Sequence, residues 1–127
     1  MGKERNKYEF WLAVNLYHEA RGEPEEGMVA IGHVVINRAM KRRKNVKEII
    51  LQPWQFSWRN SKKDIPIDDY DSFIRCMDAV DKIIIERLEG KDLFRADHYF
   101  NPSIVLPSWA KKMTFVQGIG GHDFYRE

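Results

Sequence analysis

The run Leu16-Tyr17-His18-Glu19-Ala20-Arg21-Gly22-Glu23-Pro24 leaves this chain little freedom. Upstream of it, Tyr8, Trp11, Leu12, Asn15, Leu16 and Glu19 recur at spacings of three and four, which is one face of a helix. Gly22 is placed to end that helix as a left-handed residue just past its last turn. Pro24 suits the first turn of a new helix, where its missing N–H is no loss. Glu23, Glu25 and Glu26 favour the positive end of that helix, and Lys41 to Lys44 its negative end. The stripe Gly27, Ala30/Ile31, Val34/Val35 and Arg38 is expected to be buried, with Gly27 and Ala30 small enough to let another helix approach. The first helix therefore carries Glu19 at its end on a largely apolar stripe. A carboxylate in that position is either a solvated last-turn residue, the usual fate of a Glu, or a functional group.

The remaining chain reads as follows. Residues 1–6 are expected to be a flexible, solvated lead-in, with helix from Lys7. A short helix is expected at Val46–Leu51, stopped by Pro53. Residues 52–67 lack a regular period and hold Trp54, Phe56 and Trp58 between Gln52, Gln55, Ser57 and Asn60, a loop whose content suits binding. Asp71-Ser72 offers an N-cap to an amphipathic helix with the stripe Phe73, Met77, Val80, Ile84 and Leu88, stopped by Gly90. That helix is expected to be the packing spine, with Cys76 inert beside it. Ala96–Asn101 reads as a strand, 107–112 as a helical turn, and Met113–Gln117 and His122–Tyr125 as a hairpin joined through Gly118-Ile119-Gly120-Gly121. The fold class is thus a mostly helical domain with a small C-terminal antiparallel sheet.

Length and composition narrow the function. With 127 residues, 43% of them hydrophobic, the chain fits one domain with one packed core. A single cysteine rules out an intramolecular disulfide and a Cys-based zinc site. A formal charge of +2 is weak for a nucleic-acid binder. A helix-turn-helix is also opposed by Val34, Val35 and Ile36, which stand where a recognition helix needs polar side chains. No stretch reaches the ~20 apolar residues of a membrane span, so no membrane insertion is expected. The polar N-terminus, MGKERNKYEF, is not a secretory signal. The expectation is a monomer made in the cytoplasm that acts elsewhere only after release.

The chemistry centres on Glu19. Burial disfavours the charged form of a carboxyl, and a carboxyl protonated near neutral pH is what a general acid needs. His18-Glu19 begins a metalloprotease-like H-E-x-x-H, but position 22 is Gly. A zinc site would then need His33, His98 and His122 to be gathered by folding; no metal and no cofactor is the expectation. The aromatic and polar residues of 54–58 and 97–101 fit either a core or a groove in which rings stack on sugars and amides bond hydroxyls.

One resemblance spans nearly the whole chain. Tyr17-His18-Glu19-Ala20-Arg21-Gly22-Glu23-Pro24-x-x-Gly27, Val29-Ala30 and Val35-Ile36-Asn37-Arg38 resemble the opening motif of the SleB/CwlJ-type cell-wall hydrolases. That family includes spore cortex-lytic enzymes and related phage lysins. Weaker pieces follow in the same order: Ile49–Gln52-Pro53, Gln55-Phe56-Ser57, His98-Tyr99-Phe100-Asn101-Pro102 and Gly121-His122-Asp123-Phe124. The resemblance implies a lysozyme-like α+β fold and cleavage of the β-1,4 bond between N-acetylmuramic acid and N-acetylglucosamine by lytic transglycosylation. It places the catalytic glutamate at Glu19. His18 departs from the family's frequent Gly. Gln55, Phe56, Ser57, Tyr99, Asn101 and His122 are the expected substrate contacts, and Glu23 is the nearest candidate for a second acid. A hydrolytic muramidase, an amidase cutting the stem peptide and a non-catalytic wall-binding module are the alternatives. The expected partner is the peptidoglycan glycan strand, and the single-domain form points to a phage-type lysin.

Overall fold

Strong helix formers carry the first helix outward beyond its apolar face. In the structure, a computed structural model that describes residues 3–52, 67–90 and 94–127, with side chains from Tyr8 on, α1 runs Lys3–Ala20. The expected lead-in over residues 1–6 is therefore helical from Lys3, where Lys, Glu and Arg have high intrinsic helix propensity. The inward face of α1 buries Leu12, Ala13, Leu16, Tyr17 and Ala20, with Asn15 among them. The helix ends in a turn closed by Glu23 N–H on Ala20 O at 2.9 Å. Gly22 does not take up the left-handed conformation expected of it; among the described glycines only Gly90 and Gly120 have positive φ. The three-residue turn and the extended Pro24 reverse the chain without it.

Helix α2 (Glu25–Arg42) follows, with Pro24 as its N-cap. It ends at Arg43, which is left-handed at φ 54°, and Lys44 N–H then bonds Ala39 O at 2.9 Å. The expected stripe on α2 is too narrow: every residue from Gly27 to Ile36 is buried, with Arg38 and Ala39. Helix α3 (Val46–Leu51) has the expected bounds and starts on a capping box between Asn45 and Glu48.

The cap of helix α4 (Tyr70–Glu89) lies two residues before the expected Asp71. Asp69 is the N-cap, because its carboxylate accepts both the Ser72 N–H (3.1 Å) and the Ser72 hydroxyl (2.6 Å). Gly90, at φ 68°, stops the helix as expected. Its buried face is Cys76, Ala79, Val80 and Ile83; of the expected stripe Val80 is buried and Phe73 and Ile84 pack partly buried against the core, but Met77 is 49% and Leu88 80% exposed. Small Cys76 and Ala79 let α4 lie close to its neighbours, and a Cβ on Gly32 of α2 would run into Ile83. Burial pushes the Cys76 thiol up to about 11, so it stays unreactive at neutral pH. The central element is thus α2, which contacts α1, α3, α4 and the sheet, rather than α4.

The sheet is antiparallel in the order β1-β3-β2, from β1 (His98–Phe100), β2 (Thr114–Ile119) and β3 (His122–Arg126). The β2–β3 turn has only two residues, Gly120-Gly121, two fewer than expected, with Gly120 at φ 57°. Pairing sets Tyr99 opposite Phe124, and His98 opposite Tyr125. Alternation then divides the sheet. Tyr99, His122 and Phe124 share one face, and Phe124 is buried in the helical core. Phe100 and Tyr125 stack on the other at 5.5 Å, with Trp109 of the 3-10 turn Ser108–Lys112 edge-on to both.

Helix α2 also holds the strand approach. Asn37 Nδ2 donates to Phe94 O and Ala96 O, both at 2.8 Å, and Arg38 Nε donates to Asp97 O at 2.6 Å. These side-chain bonds to backbone fix where β1 starts, and so where Tyr99 points. Among the described residues no helix is long and apolar enough to cross a membrane.

Candidate active site

The end of α1 and the inner face of β1 meet at Glu19. Its side chain is half-buried and its Oε1 is closed off from solvent. Its Oε2 accepts the Tyr99 hydroxyl at 3.4 Å, a contact across 80 residues of sequence. Tyr99 is wedged between His122 (5.2 Å, edge-on) and Phe124 (5.7 Å). Burial, then the Glu19 charge, raise the Tyr99 phenol well above its usual value, so its hydroxyl remains a donor. Beneath lies Arg38. Burial pulls its guanidinium below the usual value, while the charges of Asp97 and Glu19 oppose that shift. Glu19 thus faces a fixed donor with a buried cation behind it.

The expected second acid, Glu23, is folded onto the β2–β3 turn. Its Oε2 accepts the Gly121 N–H at 3.4 Å, and its Oε1 lies 2.8 Å from His122 Nδ1. That second approach is close but out of line for a hydrogen bond, so proximity and packing hold it rather than a straight N–H···O. Side chains on Gly27, Gly120 or Gly121 would all press on Glu23, and at Gly120 the obstacle is Oε2 itself. The room at Gly27, expected to admit another helix, is used by this side chain.

Asn101 lies beside the same turn, its Nδ2 3.8 Å from where a Gly121 Cβ would be. Its Oδ1 accepts the Ser103 N–H (2.9 Å) and hydroxyl (2.6 Å), so this side chain shapes the chain leaving β1. Gln55, Phe56 and Ser57, like Trp54 and Trp58, lie outside the described residues.

The three scattered histidines stand against three different acids: His33 on Glu86 (3.0 Å), His98 on Asp97 (2.9 Å) and His122 on Glu23. His18 packs edge-on against Tyr17 at 5.4 Å; burial, then Arg21, lower its pKa and keep it neutral at pH 7. Arg21 donates to the Tyr17 hydroxyl at 2.6 Å, which also accepts the Asp69 N–H at 3.1 Å. That network ties the end of α1 to the start of α4.

Sequence reasoning left two participants out. Arg38 was expected only as the end of a stripe, although an Arg on an otherwise apolar face is a signal in itself. The clasp of Glu23 on the hairpin had a signal too, in glycines at 27, 120 and 121, but nothing local links residues so far apart.

This helical layer with its small sheet has known counterparts. A family model described as Cell Wall Hydrolase matches residues 22–125, and the chain belongs to that family, of the SleB/CwlJ type. The matched span begins three residues after Glu19. The chain is similar to the spore cortex-lytic enzymes of Bacillus subtilis (29% identical over 116 residues, 89% of this chain and 35% of that protein) and Halalkalibacterium halodurans (28% over 116 residues, 89% and 33%). It spans about a third of the length of these curated relatives. Among solved structures, it is similar to the catalytic domain of the germination-specific lytic transglycosylase SleB from Bacillus anthracis, with a TM-score of 0.67, 26% identity and 98% of each chain covered. The catalytic domain of Bacillus cereus SleB gives a TM-score of 0.68 at 22% identity, covering 98% of this chain and 93% of that one. The lysozyme-like α+β fold expected from the sequence is the fold observed.

Proposed function

We propose that these 127 residues form one catalytic domain that cleaves the β-1,4 bond between N-acetylmuramic acid and N-acetylglucosamine in peptidoglycan, as a lytic transglycosylase with Glu19 as its acid and base. The observation that carries the reading is the half-buried Glu19 at a helix end, facing the Tyr99 hydroxyl across the junction of helices and sheet. Membership of the cell wall hydrolase family and the likeness to a lytic transglycosylase catalytic domain support the substrate class.

In this reading, protonated Glu19 donates to the glycosidic oxygen as the bond to the muramyl C1 breaks, leaving an oxocarbenium-like sugar. The Glu19 carboxylate then takes the proton of the muramyl C6 hydroxyl, whose oxygen bonds C1. The product is a 1,6-anhydromuramyl end, and no water is consumed. Tyr99 and the buried Arg38 favour the carboxylate once it has formed, because a donor and a cation both stabilise an anion. Tyr99, His122 and Asn101 are the described residues proposed to border the glycan, with Gln55, Phe56 and Ser57 as further contacts. The hydrolytic alternative has a second carboxylate activate a water.

Glu19→Gln tests the assignment. It should keep the fold and lose lysis of purified peptidoglycan by roughly 10²–10⁴-fold, the usual worth of general acid–base help. A folded, fully active variant overturns it. Mass spectrometry of the digest separates the outcomes: the anhydro product is lighter by one water than the hydrolytic one. New free amines in place of cleaved glycan indicate an amidase.

A further inference from the structure

We propose that Glu23 is a positioning residue that acts on the reaction through His122 and Tyr99, and that it is not a second acid–base. This rests on the reading of Glu19 as the catalytic acid.

Both carboxylate oxygens of Glu23 face the hairpin. Oε2 takes the Gly121 N–H and Oε1 sits on His122 Nδ1. The two side chains are shielded from solvent, 17% exposed for Glu23 and 15% for His122. A general base needs an oxygen aimed at a water or a substrate hydroxyl; both oxygens of this side chain are turned to protein. What the contact does achieve is mechanical. It joins the turn between α1 and α2, which immediately follows Glu19, to the turn between β2 and β3. The His122 ring so held stands edge-on to Tyr99 at 5.2 Å and 86°, with Phe124 against Tyr99 as well. A phenol confined in this way cannot swing its hydroxyl off Glu19 Oε2 without displacing His122. The glycines fit this role: Gly120 leaves no space for a side chain beside Glu23 Oε2, and its left-handed φ makes the two-residue turn possible.

Glu23 also receives help from α4. Arg75 donates to Glu23 O at 3.3 Å and to Arg21 O at 3.5 Å, fixing the backbone from which the carboxylate reaches. The path from Glu23 to Glu19 thus runs through named contacts: carboxylate to imidazole, imidazole edge to phenol ring, phenol hydroxyl to carboxylate.

The test is a double-mutant cycle on the full chain, with soluble, uncrosslinked peptidoglycan glycan strands as substrate. Glu23→Ala should lower kcat by about tenfold with little change in KM, because it misplaces a transition-state contact rather than a binding one. Glu23→Gln keeps an amide oxygen for the Gly121 N–H and should recover most of that loss. In a Tyr99→Phe background, Glu23→Ala should cost at most about twofold more, since residues acting as one unit are not additive. The ratio of anhydro to hydrated ends should stay unchanged throughout. If Glu23→Ala fails to unfold cooperatively, His122→Phe replaces it, keeping a ring against Tyr99 while losing the link to Glu23. Glu23→Gln as inactive as Glu23→Ala overturns the proposal, and so does a full additive loss on Tyr99→Phe. Glu19→Gln, run beside them, separates the two levels: if it stays active the acid–base reading falls and this proposal with it, whereas an inactive Glu19→Gln with an additive cycle removes the positioning role alone.

Discussion

Two carboxylates fasten the sheet to the helices, one near each end of α2, and they do so differently. Near the C-terminal end, Asp97 is enclosed by donors: Lys41 Nζ at 3.2 Å, His98 Nδ1 at 2.9 Å and the Glu127 N–H at 2.9 Å. Burial alone would raise its pKa; hydrogen bonds from His98, Glu127 and Lys41 outweigh that and hold it below the usual carboxylate range. At the N-terminal end, Glu23 has one backbone N–H and one imidazole, on a turn made of glycines. The first junction is rich in charge-assisted bonds, with partners at the end of α2 and past the end of β3. The second is sparse and touches the rings that frame Glu19. A fastening whose task is stability can saturate its acid with donors, whereas one beside a reacting group benefits from leaving fewer charges there.

The largest test of this contrast is Asp97→Ala. It removes the acceptor shared by the half-exposed Lys41, His98 Nδ1 and the part-buried Glu127 N–H and should cost about 1–3 kcal/mol in denaturant unfolding, while activity per folded molecule is retained. The acid dependence has a definite sign. Because the native pKa of Asp97 lies below 3.8, its stabilisation is complete above the unfolded value and is lost as pH falls through the native one; Asp97→Asn should remove that loss. Equal losses of specific activity at Asp97 and Glu23 would erase the distinction between the junctions.

Gly120→Ala is next. A side chain at φ 57° costs about 1–2 kcal/mol, and here it also displaces Glu23 Oε2. Specific activity should fall more than stability does, the reverse of Asp97→Ala; kcat measured beside unfolding midpoints decides.

The smallest effect concerns the middle of α2, away from both junctions. His33 is 2% exposed between Glu86 at 3.0 Å and Arg87 at 3.4 Å. Burial, opposed by Glu86, lowers its pKa below 6.5, so its contribution to stability is present above that pH and declines as pH falls through the native value. His33→Gln should flatten this decline in melting temperature between pH 7 and 5, with activity at pH 7 unchanged.

Local signals were the legible ones. The bounds of α3, the stop at Gly90 and the chain reversal before Pro24 depend on a few adjacent residues, and the sequence states them directly. Faces were harder to read. A stripe count made Phe73, Met77, Val80, Ile84 and Leu88 the core of α4; Val80 is in it, but Met77 and Leu88 are exposed while Cys76 and Ala79 are buried, because close approach is governed by small residues that a hydrophobic period hardly registers. For the same reason α2 was read as one-faced when it is enclosed. In the site, Glu19 stood out as a carboxylate on an apolar stripe, and Tyr99 and His122 through short motifs. The work of Glu23 and Arg38 was hidden, since it depends on strands paired far downstream.

Those long spans have a consequence for how the protein comes into being. Tyr99 meets Glu19 across 80 residues, and Gly121 meets Glu23 across 98. Contacts of such separation form late, after the entropy of closing a long loop has been overcome. On the ribosome, where the N-terminal part emerges first, the helices can assemble while Glu19 still lacks its facing strand. A nascent chain that stops before His122 has the acid but not the groups that hold Tyr99 on it, so the site is completed only once β3 has been made.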